Sequence, residues 1–395
     1  MLLKDLASKY GSVQIITHTD LDGYGAGAIL LKTLIRLGFG IDDILITHTD
    51  YTNPFPVDEQ YNLILLSDIS ISNSTDARKL LNFASKPNNL LFWFDHHKSS
   101  IDMYESHLYP ELKNIPGIRD TNASGAMLCW IFYQVINHLM SDKTSRVDDI
   151  HKILNNLDIM EIMNSKNPGV WNNCANHTPI GIILTDDYDR FILKDSRSKY
   201  YMEAFNSYPD FKRDCKSYYF KYQYVTNNDS QIADFINVGK TLFIWKRIIA
   251  LNSLKESGFI ASFPIEGMKD IEMVCLNSTN KGSMLFGRCL GLNDGPYMQY
   301  NYACAYSSRG EKTTVSIYCA NPDTTPKENR KNGKIYDASD ICKVFGGGGH
   351  PGAAGFVTDK VTFCNIKRLP KKLINQIDNE INELIDEVCN DENLY

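Results

Sequence analysis

The sequence predicts an α/β protein with an N-terminal, mostly parallel sheet flanked by helices, a helical linker, and a smaller C-terminal α/β domain. Three observations predict this. Residues 13–193 alternate short apolar runs with segments of helical period, the pattern of a parallel sheet covered on both faces. Residues 232–254 repeat apolar side chains at helical spacing, and strand-length runs resume after residue 259. A chain of 395 residues also exceeds one ordinary core. The expected boundaries are 1–230, 231–257 and 258–395.

The elements follow in order. Val13–Thr17 is an apolar strand, and the small and apolar residues from Gly25 to Leu37 suit a helix packed on a sheet. Asp43–Thr47, Leu63–Ser67 and Leu90–Phe94 read as further buried strands, with helices at Thr75–Ala84 and Ala123–Asn137. Residues Tyr201–Asp229, rich in Tyr, Lys and Asn, show little period and read as an insertion or peripheral element. The linker helix carries Ile236, Leu242, Ile244, Ile248 and Leu251. Strands are expected at Glu272–Leu276, Tyr302–Tyr306 and Thr313–Tyr318, and an amphipathic helix at Lys371–Val388.

Composition narrows the function classes. Hydrophobic content of 43% and charged content of 22% are those of a globular protein. The apolar runs are strand-length, too short for a bilayer, and the first residues lack the pattern of a signal peptide, so no membrane is expected. Ten cysteines without a Cys-x-x-Cys pair read as reduced thiols in a cytoplasmic protein. A net charge of −6 argues against a long duplex as ligand, since many phosphate contacts demand a basic face. A short nucleotide chain gripped by metal ions and a few cations stays compatible.

Chemistry gathers where strands end, which is where open α/β sheets bind ligands. His18-Thr-Asp20-Leu-Asp22-Gly23 follows the first strand. One imidazole and two carboxylates at alternate positions can share one side of an extended segment. Hard oxygen ligands beside a nitrogen favour Mn²⁺ or Mg²⁺. The chain contains its own control, because Ile46-Thr-His48-Thr-Asp50 repeats the letters of Ile16–Asp20 yet lacks a carboxylate matching Asp22. His48 and Asp50 therefore read as a structural strand end. Asp68 follows the third strand, and Asp95-His96-His97 follows the fully apolar Leu90–Phe94. Near the end, Gly346-Gly347-Gly348-Gly349-His350 precedes Pro351-Gly352-Ala353-Ala354-Gly355. Consecutive glycines suit a backbone that approaches a ligand closely, with free amides to cradle an anion.

Together these motifs resemble the DHH phosphoesterase superfamily, whose members include RecJ-type nucleases, oligoribonucleases, pAp phosphatases and cyclic-dinucleotide phosphodiesterases. The resemblance spans residues 13–357 in the family's order, and the glycine motif matches the associated DHHA1 domain. Length and two-domain layout are most similar to the NrnB-type oligoribonucleases (nanoRNases). The resemblance implies two divalent ions, Mn²⁺ first with Mg²⁺ or Co²⁺ as alternatives. His18 and Asp20 would hold one ion, Asp22 and His96 the other, and Asp68 would bridge them. The remaining ligand is expected in a fourth motif, at Asp158, with Asp186 and Asp187 as competitors. Asp95 would orient a histidine, and His97 would donate to the scissile phosphate or leaving oxygen. Gly347, Gly348, Gly349 and His350 would grip a substrate phosphate as the second domain closes over the site. One departure stands out. Members often carry an Arg in the strand before the glycine motif, whereas this chain has Tyr318. Either the Tyr318 ring stacks on a base, or Arg288, Arg309 or Lys312 supplies the missing charge.

The expected activity is hydrolysis of short oligoribonucleotides, and short single-stranded DNA as a secondary substrate, to nucleoside monophosphates. The alternatives are a RecJ-like exonuclease on longer single strands, a pAp phosphatase or cyclic-nucleotide phosphodiesterase, and a non-enzymatic nucleotide sensor. A homodimer through the terminal helix is left open.

Overall fold

The computed structural model describes residues 1–50, 56–71, 73–105, 107–164, 178–190, 192, 194–207, 229–263, 271–278, 286, 302–319, 338–350, 352–359, 361 and 363–389. The chain divides into two compact units, Met1–Gly239 and Lys240–Tyr395.

In the first unit four parallel strands, β1 (Val13–His18), β2 (Ile44–Thr49), β3 (Leu63–Ser67) and β4 (Leu90–Phe94), lie in the order β2-β1-β3-β4. Their sequences are runs of Val, Ile, Leu and Phe because both faces are covered. Helix α1 (Leu6–Tyr10) precedes β1. One face carries α2 (Leu21–Arg36) and α5 (Gly125–Met140), which pack closely where Gly25 meets Ala126. On the other face α3 (Ser74–Ala84) inserts Leu80 and Phe83 against Ile64, Leu66 and Trp93. Fully burying such side chains stabilises by about 1.5–3 kcal/mol each. Helix α4 (Lys98–Glu105) follows β4. Asn73 caps α3 by accepting from Asp76 N at 2.9 Å, which explains the start of that helix. The strand order reverses between β1 and β3, so the carboxyl ends of β1, β3 and β4 open onto the topological switch point.

Three shorter helices complete the path to the site: α6 (Val147–Leu154), α7 (Ile159–Asn164) and α8 (Ile180–Asp189). Residues 201–207 correct the expectation of a peripheral insertion. They belong to α9 (Arg197–Ser207), whose Tyr201, Met202 and Phe205 are buried. Polar letters hide a helix whose apolar side packs inward. The rest of that segment up to residue 228 lies outside the described residues.

The linker helix α10 (Asp229–Ser257) is continuous, and the boundary between units falls within it. From Ile244 to Leu254 its apolar residues belong to the second unit's core. That unit holds a seven-stranded sheet: β5 (Phe259–Phe263), β6 (Ile271–Asn277), β7 (Tyr302–Arg309), β8 (Lys312–Cys319), β9 (Gly348–His350), β10 (Ala353–Thr358) and β11 (Cys364–Arg368). The order is β11-β5-β6-β7-β8-β10-β9, antiparallel except for β6 beside β7. Helices α10 and α12 (Lys371–Cys389) cover one face and α11 (Ala338–Val344) the other. Arg247 pairs with Glu380 and Lys255 with Asp378 between α10 and α12. Among the described residues, no helix is long and apolar enough to cross a membrane.

Candidate metal centre

Three strand ends deliver the predicted residues to one place. His18 is the last residue of β1, Asp68 follows β3, and Asp95-His96-His97 follows β4. Asp20 caps α2 by accepting from Gly23 N at 2.9 Å, which turns the chain so that Asp22 enters the first helical turn. Asp68 sits at φ 53°, a conformation open to Asp among the few non-glycine residues that tolerate it. Its N–H donates to Phe94 O at 2.9 Å, which ties the end of β3 to that of β4.

The donor atoms form three overlapping groups: His18, Asp20 and Asp68; Asp22, His96 and Asp189; and Asp68, His96 and His97, each within 4.8 Å. His96 Nε2 lies 3.3 Å from Asp68 Oδ1, 3.3 Å from Asp189 Oδ2 and 3.6 Å from Asp22 Oδ2. His18 Nδ1 lies 2.8 Å from Asp20 Oδ2. Asp68 is common to two groups, as a bridging ligand would be.

The surroundings show why these carboxylates want a cation. Burial, then the charge of Asp20, pushes Asp22 up to about 7. Burial and the charges of Asp20, Asp22 and Asp189 push Asp68 well above the usual carboxylate range. Asp189 is raised as well, by burial first and then by the charges of Asp22 and Asp20. Asp68 Oδ2 is buried and accepts no hydrogen bond among the described residues. A buried acid oxygen without a donor is costly, and a divalent ion would satisfy it. His18 and His96 with Asp20, Asp22, Asp68 and Asp189 are a hard N/O set, so the residues present fit Mn²⁺ or Mg²⁺.

Supporting contacts hold these groups. Asp22 accepts from Gly125 N at 2.6 Å and Ala126 N at 2.9 Å, so the amino end of α5 grips it. Gly125 is required here, since a Cβ would come within 2.8 Å of Asp68 Cβ and 2.9 Å of Asp22 Oδ2. Asp95 Oδ1 accepts from His97 Nδ1 at 2.7 Å and from the backbone N–H of His96 at 2.9 Å. It thereby orients the histidine pair without joining the cluster. His48 bonds through Nδ1 to His18 O at 2.9 Å and packs on the Tyr24 ring at 4.3 Å, a bracing role for the end of β1.

Asp158 does not reach this cluster. It caps α7 by accepting from Glu161 N at 2.8 Å, an exposed bond. The competitors are occupied elsewhere: Asp186 accepts from Ser124 N at 2.7 Å, and Asp187 from Lys194 N at 2.9 Å. The sixth group is Asp189, two residues beyond Asp187 in the same acid-rich segment. The letters Asp186-Asp187-Tyr188-Asp189 carry the signal, but the helical phase of α8 decides which acid points inward.

In the second unit the glycine motif forms a hairpin, β9 with β10. Gly347 and Gly349 are needed by that hairpin itself. A Cβ on Gly347 would lie 2.1 Å from Gly355 O, and Gly349 has φ 143°. Gly348 faces open space. His350 is the last residue of β9, paired with Ala353. Tyr318 corrects the stacking expectation. It is 2% exposed and belongs to the core between sheet and helices, with its ring 6.1 Å from that of Phe286. No base can reach its face in this packing. Arg309 and Lys312 are exposed partners at the turn joining β7 and β8, and Arg288 lies outside the described residues.

No family model matches the chain, and no curated protein matches it. Solved structures do. RecJ from Thermus thermophilus in complex with Mn²⁺ is 13% identical, with 98% of this chain and 53% of that one covered and a TM-score of 0.40. A pGpG-specific phosphodiesterase from Vibrio cholerae is 16% identical over 93% of this chain and 100% of that one, at a TM-score of 0.36. A DHH domain from a member of a ribosomal protein family is 12% identical over 98% and 89%, at 0.47. The solved structures to which this chain is similar thus include one described as a DHH domain, the family that its sequence motifs resemble.

Proposed function

We propose that this protein is a two-metal phosphodiesterase of the DHH type that trims short oligoribonucleotides, and short single-stranded DNA more slowly, to nucleoside monophosphates. One observation carries the reading: side chains that could hold a metal, from three strand ends, the first turn of α2 and α8, converge in groups that share Asp68 and His96. Two divalent ions there, Mn²⁺ for preference, would supply an activated water near neutral pH and offset charge on the phosphate oxygens. His18 and Asp20 would hold one, Asp22, His96 and Asp189 the other, and Asp68 both.

The chain's own groups do the rest. Asp95 accepts from His97 Nδ1, and although burial alone would lower the His97 pKa, the Asp95 charge raises it, favouring the imidazolium whose Nε2–H would donate to a phosphate or leaving oxygen. The amino end of α5 keeps Asp22 in place while its charge is shared with a cation. Gly347, Gly348, Gly349 and His350 are proposed to hold a phosphate of the substrate. Gly348 is the glycine of this set that the hairpin leaves unconstrained. The acidic net charge of −6 favours short substrates over long ones.

The test is digestion, with Mn²⁺ added, of end-labelled RNA and DNA from the dinucleotide upward, beside pAp and cyclic dinucleotides. Dinucleotides should be cleaved fastest. Faster cleavage of long strands would shift the reading to a RecJ-like enzyme, and turnover confined to pAp or a cyclic dinucleotide to the corresponding phosphoesterase.

A further inference from the structure

The buried Tyr318 offers nothing to a substrate phosphate, whereas the first unit holds an arginine beside the metal ligands. Arg190 follows Asp189 directly, at the carboxyl end of α8. Its Nη1 donates to Asp186 Oδ2 at 3.2 Å, and the other oxygen of that carboxylate accepts from Ser124 N at 2.7 Å. Ser124 is the cap of α5, whose next two N–H groups hold Asp22. A single chain of hydrogen bonds thus ties the guanidinium to the helix end that carries a metal ligand. The side chain is 23% exposed. Among the described residues its Nε and Nη2 donate to no protein group.

A plain surface arginine is the alternative, and the geometry speaks against it. An exposed pair is worth little and holds an arginine loosely. Here the Asp186 partner is 7% exposed and locked from its far side. A guanidinium fixed at one nitrogen, with further donors open, is suited to binding a phosphate oxygen. No other Lys or Arg side chain is bonded or ion-paired, among the described residues, to a carboxylate within this network of ligands and their hydrogen-bonded supports.

We infer that Arg190 is a substrate-binding residue, contacting a non-bridging oxygen of the phosphate presented to the metal centre. This rests on the two-metal reading above. The experiment compares wild type with Arg190→Lys and Arg190→Ala, using calorimetric Mn²⁺ titration, binding of inorganic phosphate to the Mn²⁺-loaded protein, and kinetics on the dinucleotide pApA. Phosphate affinity should fall about tenfold or more in Arg190→Ala and kcat/KM with it, while Mn²⁺ affinity stays within twofold. Added guanidinium should restore part of the loss in Arg190→Ala, and Lys should recover it only partly because it lacks the fork. Unchanged phosphate affinity overturns the inference and leaves the metal reading intact. Loss of Mn²⁺ affinity together with thermal stability overturns it also, by showing Arg190 to be a strut for Asp186. A wild type that binds no Mn²⁺ overturns both readings.

Discussion

The two motif regions of this chain use polar and small residues in opposite ways. At the ends of β1, β3 and β4, buried acids are brought together against their own repulsion, and Asp22 and Asp68 are raised by burial and by neighbouring acids. In the glycine motif of the second unit, Gly347 and Gly349 relieve crowding against β10, and the hairpin would need them with no ligand at all. The first region gathers acids that burial and one another make costly to ionise, whereas the glycines of the second meet a need of the hairpin itself. Groups that make the fold worse on their own account point to function, whereas groups that the fold itself needs do not.

The sharpest way to break this contrast is Asp68→Ala. Removing the shared carboxylate should lower activity by about 10³-fold and abolish tight Mn²⁺ binding. It should also raise the thermal stability of the metal-free protein near neutral pH, because burial and neighbouring acids make Asp68 hold a proton in the folded state that the unfolded chain gives up, and that cost is gone. A destabilised metal-free variant would show that the cluster is ordinary structure. Next in size, Gly125→Ala should cost about 1–3 kcal/mol in chemical denaturation and weaken Mn²⁺ binding, since its Cβ has no room beside Asp22 and Asp68.

Mn²⁺ itself sharpens the comparison. At about 100 times its dissociation constant it should stabilise the wild type by about 2.7 kcal/mol, read as a rise in melting temperature. Within the second unit, Gly347→Ala should destabilise and Gly348→Ala should not, for Gly348 meets nothing within 4 Å. If Gly348→Ala folds normally yet raises KM, the glycine motif holds substrate as proposed. Normal KM in that variant would confine its glycines to architecture.

Legibility follows the same division. His18, Asp20, Asp68 and His96 are readable from the letters because a strand fixes their direction and a following turn exposes them. Asp22 is readable through Gly23 and the helix start. The parallel sheet is legible because strands buried on both faces are apolar throughout, as in Leu63–Ser67. Helix α9 is not, because Tyr, Lys and Asn dilute its period while Tyr201 still packs at 0% exposure. Strand β11 is hidden for a different reason, since it exposes most of its residues and has no buried face to read. Tyr318 misleads because an aromatic in a strand looks the same whether it faces solvent or core.

Asp158 and Asp189 separate sequence logic from three-dimensional phase most cleanly. Asp158 is a single acid between Leu157 and Ile159, Asp189 is one of three in Asp186-Asp187-Tyr188-Asp189, and the letters do not rank the two as ligands. Asp158 Oδ1 is committed to Glu161 N at the start of α7, in water. Asp189 Oδ2 lies 3.3 Å from His96 Nε2, and the charges of Asp22 and Asp20 hold its carboxyl up after burial has already raised it. Asp158→Ala should therefore cost about 1 kcal/mol from the lost cap and leave Mn²⁺ affinity and turnover alone. Asp189→Ala should do the reverse, with roughly 10–100-fold weaker Mn²⁺ binding even if the metal-free fold is unharmed. Calorimetric titration of the two variants side by side decides the matter. Equal Mn²⁺ affinities would mean that the fourth motif lies elsewhere, and that the approach of Asp189 to His96 is packing rather than ligation.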